Sequence, residues 1–297
     1  MIYSDIIITS AYAEAGARVR TPACAYARCD ALSAAIKNMN SIYESHALAR
    51  VYIIIVSFVL GLAMGSFCNA WAFRMTSGGS ITKGRSRCAK CGHELAAKDL
   101  VPLLSFLFLQ GRCRYCREKI APLYFAAELV SGIYYLSVVW VYGLGLTALR
   151  LLMLGSLVLV MSIVDLDTME LPDSLMLASA LLSLIRLAEN PANWLSMLTG
   201  LAPALALLVL VLIMDRLLKK ESMGGGDIKL LAVFGLHLGA ANCVLLLIVA
   251  SLLGLASSAL LRRKKGTPFP FGPFLAVAAW FAAIFGKDII DAYLSFF

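Results

Sequence analysis

Stretches apolar enough to cross a bilayer recur from Val51 to the C-terminus, and nothing else in the sequence constrains the fold as strongly. A hydrocarbon core about 30 Å thick needs roughly 20 residues of helix. The runs are Val51–Phe73, Ala121–Tyr142, Ala148–Val164, Ser174–Leu187 and Trp194–Ile213, then two between Ile228 and Leu261 divided near His237–Ala240, and Phe271–Phe285. They predict an all-α polytopic membrane protein of about eight transmembrane helices, the fourth and sixth short. Composition agrees: 61% of the 297 residues are hydrophobic and 15% charged, against about 25% charged in an average soluble domain. A soluble or disordered chain is excluded.

The net charge of +8 usually suggests nucleic acid, but here the cations flank the apolar runs and read as topology signals instead. Arg74–Lys119 carries ten Lys or Arg and three acids. Arg216, Lys219, Lys220 and Lys229 follow the fifth run, and Arg262, Arg263, Lys264 and Lys265 the seventh. With eight spans these loops share one side, which the positive-inside rule makes cytoplasmic. Membrane lipid is the expected surrounding and nucleic acid is not expected. The purely acidic connection Asp165–Asp173 falls on the same side. Residues 1–50 stand apart: they show no secretory signal, and they form either an exported tail or an extension ahead of a true start at Met39. The expected division is thus a tail over 1–50, a first span over 51–73, a cytoplasmic four-cysteine loop over 74–120 and a seven-helix core over 121–297.

Four of the eight cysteines form a pattern, Cys88-x-x-Cys91 and Cys113-x-x-Cys116, with twenty-one residues between the pairs. Two such knuckles complete a tetrahedral thiolate site, so a structural zinc in a ribbon-like loop is expected. Arg87, Lys90, Arg112, Arg114 and Arg117 adjoin the ligands and are positioned to offset the thiolate charge. His93 reads as a loop residue. Cys68 and Cys243 lie inside apolar runs and read as packing; Cys24 and Cys29 show no pattern.

Ionisable groups beside membrane helices are costly, and are functional candidates for that reason. Two groups stand out: Asp165 to Asp173 at the end of the third run, and Gly224-Gly225-Gly226-Asp227-Ile228-Lys229 at the start of the sixth. Asp165 and Asp227 sit deepest. Two carboxyl groups sharing one proton can split water across a carbonyl, one as base and one as acid. The three glycines are expected to break the helix and admit an extended peptide beside the acid. Asp167, Glu170 and Asp173 also read as solvated loop acids.

These residues resemble one family, the type IV prepilin peptidases. The resemblance begins at Gly61-Leu-Ala-Met-Gly-Ser-Phe-Cys-Asn69 with Arg74. It runs through the four-cysteine loop with Pro102-Leu-Leu-Ser105 and Gly111-Arg-Cys113, then Pro122-Leu-Tyr124 and Glu128. It ends with the two aspartate boxes and Gly266-Thr-Pro-Phe-Pro-Phe-Gly-Pro273. It implies a GxGD-type aspartyl endopeptidase of the bacterial inner membrane that removes the leader of prepilins or pseudopilins after a glycine on the cytoplasmic side. It also implies N-methylation of the new terminus with S-adenosylmethionine. Asp165 and Asp227 take the catalytic positions; Gly224, Gly225, Gly226 and Lys229 support the substrate and backbone; Cys88, Cys91, Cys113 and Cys116 take the metal. The long tail, Cys68 and the short Arg74–Cys88 stretch depart from the family pattern. A peptidase-only relative and a zinc-loop transporter or scaffold are the competing readings, and the transporter is disfavoured because the acids lie at one edge and no internal repeat is visible.

Overall fold

The computed structural model describes residues 47–79, 86–88, 90–219, 223–260 and 269–296. The tail with Met39, Cys24 and Cys29, the cation Lys220 and the basic run Arg262–Lys265 lie outside the described residues. Within them the chain is helical: α1 (Ala47–Thr76), α2 (Leu104–Phe108), α3 (Pro122–Tyr142), α4 (Leu146–Thr168), α5 (Asp173–Leu182), α6 (Ile185–Glu189), α7 (Asn193–Gly200), α8 (Ala202–Leu218), α9 (Gly225–Leu238), α10 (Ala240–Leu260) and α11 (Gly272–Leu294). Two isolated bridges, Arg87 with Glu94 and Arg112 with Lys119, are the extended pairings among the described residues. In lipid this follows from backbone chemistry, because a helix satisfies its own N–H and C=O groups where water cannot.

Six helical segments are long and apolar enough to cross a membrane: those beginning at Leu48, Pro122, Leu146, Asn193, Ala240 and Gly272. By length, then, six qualify and not eight. The fourth expected span is split into α5 and α6 at Ser183–Leu184, and the sixth, α9, has 14 residues, about 21 Å of rise. Both nevertheless run between the same two ends of α4. Asp173, at the start of α5, is paired with Lys229 of α9, while Glu189, at the end of α6, meets Arg150 near the start of α4. Protein surrounds α9 beyond its first turn, where Leu230, Leu231, Val233, Phe234 and His237 are buried, so it need not match the bilayer thickness on its own; α5 keeps an exposed apolar side at Leu177 and Leu181.

The core forms around α4. Over its most apolar stretch 56% is buried, against 22–33% in the other five long segments. Leu151, Leu154, Val158, Met161, Val164 and Asp165 repeat at helical spacing on its buried side. They join Leu230, Leu231 and Phe234 of α9, Leu246 of α10 and Leu275 and Ala278 of α11. No hydrophobic force drives helix against helix in lipid, so close approach through small residues takes its place. At Gly200 and Gly235 the α7 and α9 backbones touch: a Cβ on either would sit 2.0 Å from the other's carbonyl oxygen. Gly61 and Gly65 similarly bring α1 against α3 beside Ser131 and Glu128. Cys68 and Cys243 are buried packing residues, their thiols turned to the carbonyls of Ser156 and Leu231.

Candidate active site and metal centre

Asp165 is not in a loop. It lies in the penultimate turn of α4, which continues to Thr168 and ends on Met169 in the left-handed conformation. Burial leaves Asp165 only 5% exposed. Its Oδ2 accepts the backbone N–H of Gly272 at 3.0 Å. Gly272 is the first residue of α11, whose N-terminal amides have no partner within their own helix. The approach requires glycine, since a Cβ there would lie 2.7 Å from Asp165 Oδ2.

Asp227 stands in the first turn of α9, where the positive end of the helix dipole favours a carboxylate. It lies close enough to Asp165 that the two carboxyl groups interact electrostatically. Two acids separated by 62 positions in the chain thus converge at one end of the α4–α9 pair. Each meets a helix N-terminus, and no ion pair involves either among the described residues.

The glycine run differs from expectation. Gly224 is extended, with φ −66° and ψ 135°, but Gly225 and Gly226 already belong to α9. Gly226 serves packing: a Cβ there would come within 3.2 Å of Leu171, so the glycine lets α9 close onto the segment that follows Asp165. Gly225 faces open space. Lys229 does not approach the acid pair; its Nζ donates to Asp173 Oδ1 at 2.7 Å on the exposed surface. Asp167 and Glu170 are exposed.

The four cysteines do converge. Their sulfur atoms all lie within 4.8 Å of one another, and Cys88 and Cys116 are 3.9 Å apart. A tetrahedron with zinc–sulfur bonds of about 2.3 Å has edges of about 3.8 Å, so the cluster is of a size to hold such an ion. Each knuckle turns back on its first cysteine. The N–H of Gly92 donates to Cys88 O and that of Arg117 to Cys113 O, with Gly92 and Arg117 both at positive φ. Backbone hydrogen bonding, first from Cys91, lowers the Cys88 thiol to about 7, towards the thiolate a metal requires. His93 stacks on Tyr115 with ring centroids 3.6 Å apart and is not in the cluster. Not all the neighbouring cations serve the sulfurs, because Arg87 is paired with Glu94 and Arg114 with Asp99. Burial pushes the Asp99 carboxyl up, but hydrogen bonds from Arg114, the Ala96 amide and Tyr115 outweigh it and hold the group below the usual carboxylate range.

Two polar features escaped the sequence reading. Gly272 is one; it stood inside a recognised motif without an assigned role. The other is a network at the opposite end of α4. Arg150, 4% exposed, donates through Nε to Glu189 Oε1 at 2.8 Å and through Nη1 to His237 Nδ1 at 3.0 Å. His237 Nε2 then donates to Ser179 O at 2.9 Å, which fixes the imidazole proton on Nε2. Arg186 adds bonds to Leu236 O and Ser196 Oγ. An arginine and an acid 39 positions apart offer no spacing signal, which is why the pair was missed.

Comparison with known proteins agrees with this layout. Residues 59–142 match the model of the bacterial peptidase A24 N-terminal domain, and residues 152–259 that of the type IV leader peptidase family. A prepilin leader peptidase/N-methyltransferase of Pseudomonas putida is 32% identical over 273 residues, covering 82% of this chain and 94% of the relative. The proteins of that name from Pseudomonas aeruginosa and Bacillus subtilis are each 31% identical, covering 85% and 80% of this chain and 96% and 97% of the relatives. No solved structure matches the chain. With an acid on each of two helices at the same end of the bundle, four clustered cysteines and relatives matched along nearly their whole length, the chain belongs to the type IV leader peptidase family.

Proposed function

We propose that this protein is a membrane aspartyl endopeptidase that removes the leader of prepilins or pseudopilins, after a glycine, at the cytoplasmic face of the bacterial inner membrane, and then N-methylates the new terminus. The observation that carries the peptidase reading is the convergence of Asp165 and Asp227 at one end of α4 and α9. Two carboxyl groups that share one water hold a single proton between them. The ionised member takes a proton from water as the water oxygen attacks the scissile carbonyl carbon, while the protonated member donates to the carbonyl oxygen. The tetrahedral diol collapses as the carboxyl groups return a proton to the leaving amine. Gly272 N–H orients the Asp165 oxygen that accepts it, leaving the other oxygen for water.

The substrate class fits the depth of the site. A prepilin places an apolar helix in the bilayer and a basic leader outside it, so the junction falls at the membrane surface beside the ends of α4 and α9. We assign residues 51–73 to the first span, 74–120 to the loop and 121–297 to the peptidase core. Zinc, held by Cys88, Cys91, Cys113 and Cys116, supplies the fold of that loop in place of a hydrophobic core.

S-adenosylmethionine, when bound, supplies an electrophilic methyl group to the terminal amine. The residues described do not form a fitted site for it. The enclosed cavity by Tyr134 and Trp280 holds about 30 Å³, and the larger one of about 420 Å³ between Phe106 and Pro122 has no carboxylate for ribose hydroxyls or a sulfonium.

Co-expression with a prepilin, followed by intact-mass measurement, tests the proposal and reports leader loss and a methyl increment of about 14 Da separately. Asp165→Asn and Asp227→Asn at normal membrane levels are expected to leave the leader in place, and full processing by both variants rejects the reading. Cys88→Ser is expected to reduce bound zinc from about one ion per chain to none.

A further inference from the structure

The loop between α1 and α3 reads in sequence as wholly cytoplasmic, but part of it packs along the side of α3. Leu103, just ahead of α2, donates its N–H to Glu128 Oε2 at 2.8 Å. Phe106 packs on Phe125 with ring centroids 5.1 Å apart. Glu128 is six residues inside α3, about 9 Å beyond its start, so α2 lies beside the first two turns of a spanning helix. α3 has 21 residues, about 32 Å, and no length to spare against a core about 30 Å thick.

The neighbouring helix gives the same level independently. Asn69 of α1 donates to Tyr124 O at 3.0 Å. Phe73, four residues further towards the loop, is 43% exposed, which carries the apolar surface of α1 roughly 6 Å past Tyr124. The exposed side of α2 is apolar as well: Leu104, Leu107 and Phe108 are 51, 58 and 83% exposed. Lys98, Arg112 and Lys119 flank it, all exposed. The backbone meets the demand that low-polarity surroundings impose, since the amide of Leu103 is taken by the Glu128 carboxylate and those of Leu104, Ser105, Leu107 and Leu109 through Arg112 by nearby carbonyls.

We infer that α2 is an interfacial anchor: Leu104, Leu107 and Phe108 enter the acyl boundary of the adjacent leaflet while Lys98, Arg112 and Lys119 meet anionic headgroups. The occupant of this apolar face is the lipid surface. The charge of the loop, ten cations against three acids, complements it, and the face is continuous with the lipid-facing surface of α1 and α3. The anchor holds the four-cysteine cluster at the membrane instead of free above it.

The experiment is photo-crosslinking of the full chain in lipid nanodiscs, with p-benzoylphenylalanine in place of Phe108, in place of Leu107 as a second site, and in place of Lys90 in the first cysteine knuckle as a baseline. Discs contain phosphatidylcholine alone or with phosphatidylglycerol. Acyl-chain adducts at 108 and 107 are expected to exceed those at 90 by at least about fivefold, and to increase when phosphatidylglycerol is present. Yields at 107 and 108 no higher than at 90, or adducts to a second copy of the chain, overturn the anchor. Equal yields in the two lipids overturn the assignment of an anionic surface.

Discussion

The two ends of α4 deal with buried charge in opposite ways. At one end Arg150 meets Glu189, His237 accepts from the same guanidinium, and the network is closed. At the other end Asp165 faces Asp227, like charge towards like, with helix N-termini and no described cation. A closed network holds helices in register. An open one, kept together by the fold around it, retains the capacity to exchange a proton. The structure therefore separates the end that fixes α9 against α4 from the end proposed to react.

That contrast is sharpest where a substitution removes the chemistry and spares the fold. Asp165→Asn and Asp227→Asn should lower prepilin cleavage by roughly 10³-fold or more, with thermal stability in detergent unchanged or slightly raised because a like-charge pair is gone. A large loss of stability in both variants would show that the acids are structural. Arg150→Met should do the reverse. It strands the part-buried Glu189 carboxylate and should cost about 2–4 kcal/mol in unfolding, while Arg150→Met/Glu189→Met should recover much of that loss. If the single variant melts like the parent, the network is not a lock.

Gly272→Ala comes next. Its methyl must push against Asp165 Oδ2, for about 1–3 kcal/mol of stability and a roughly 10–100-fold loss of cleavage. Parent-like cleavage rates would remove the Gly272 amide from the site. The smallest effect belongs to Lys229→Ala or Asp173→Ala, whose salt bridge is exposed on both sides; each should shift stability by under about 1 kcal/mol. A much larger shift would mean that this pair fixes the start of α9.

How much of this was legible in the sequence follows from the range of each interaction. The cysteines were readable because a knuckle is local: two residues of spacing set the turn, and the basic loop supplies the setting. The acids were readable as candidates because few charges survive beside apolar runs. Lys229 was misplaced because adjacency to Asp227 in sequence says nothing of direction, and on the helix it points to Asp173. The glycine run was read as a break, yet two of its residues continue into α9. Glycine permits both, and the Leu171 contact selects the helix. Eight spans were counted from hydropathy, which measures apolar length but not whether lipid or protein is the neighbour; for α9 it is protein, and the fourth run is broken at Ser183–Leu184.

By itself, then, the sequence determined the membrane class, the four-cysteine cluster and the two acids proposed for catalysis, because hydropathy, knuckle spacing and the cost of a charge in lipid are all local quantities. Only the tertiary structure decided that Gly272 presents its amide to Asp165, that Arg150 closes a network with Glu189 and His237, and that part of the four-cysteine loop packs beside the first turns of α3. Those contacts join residues 25 to 107 positions apart. Their geometry comes from helix packing, which no single stretch of chain encodes.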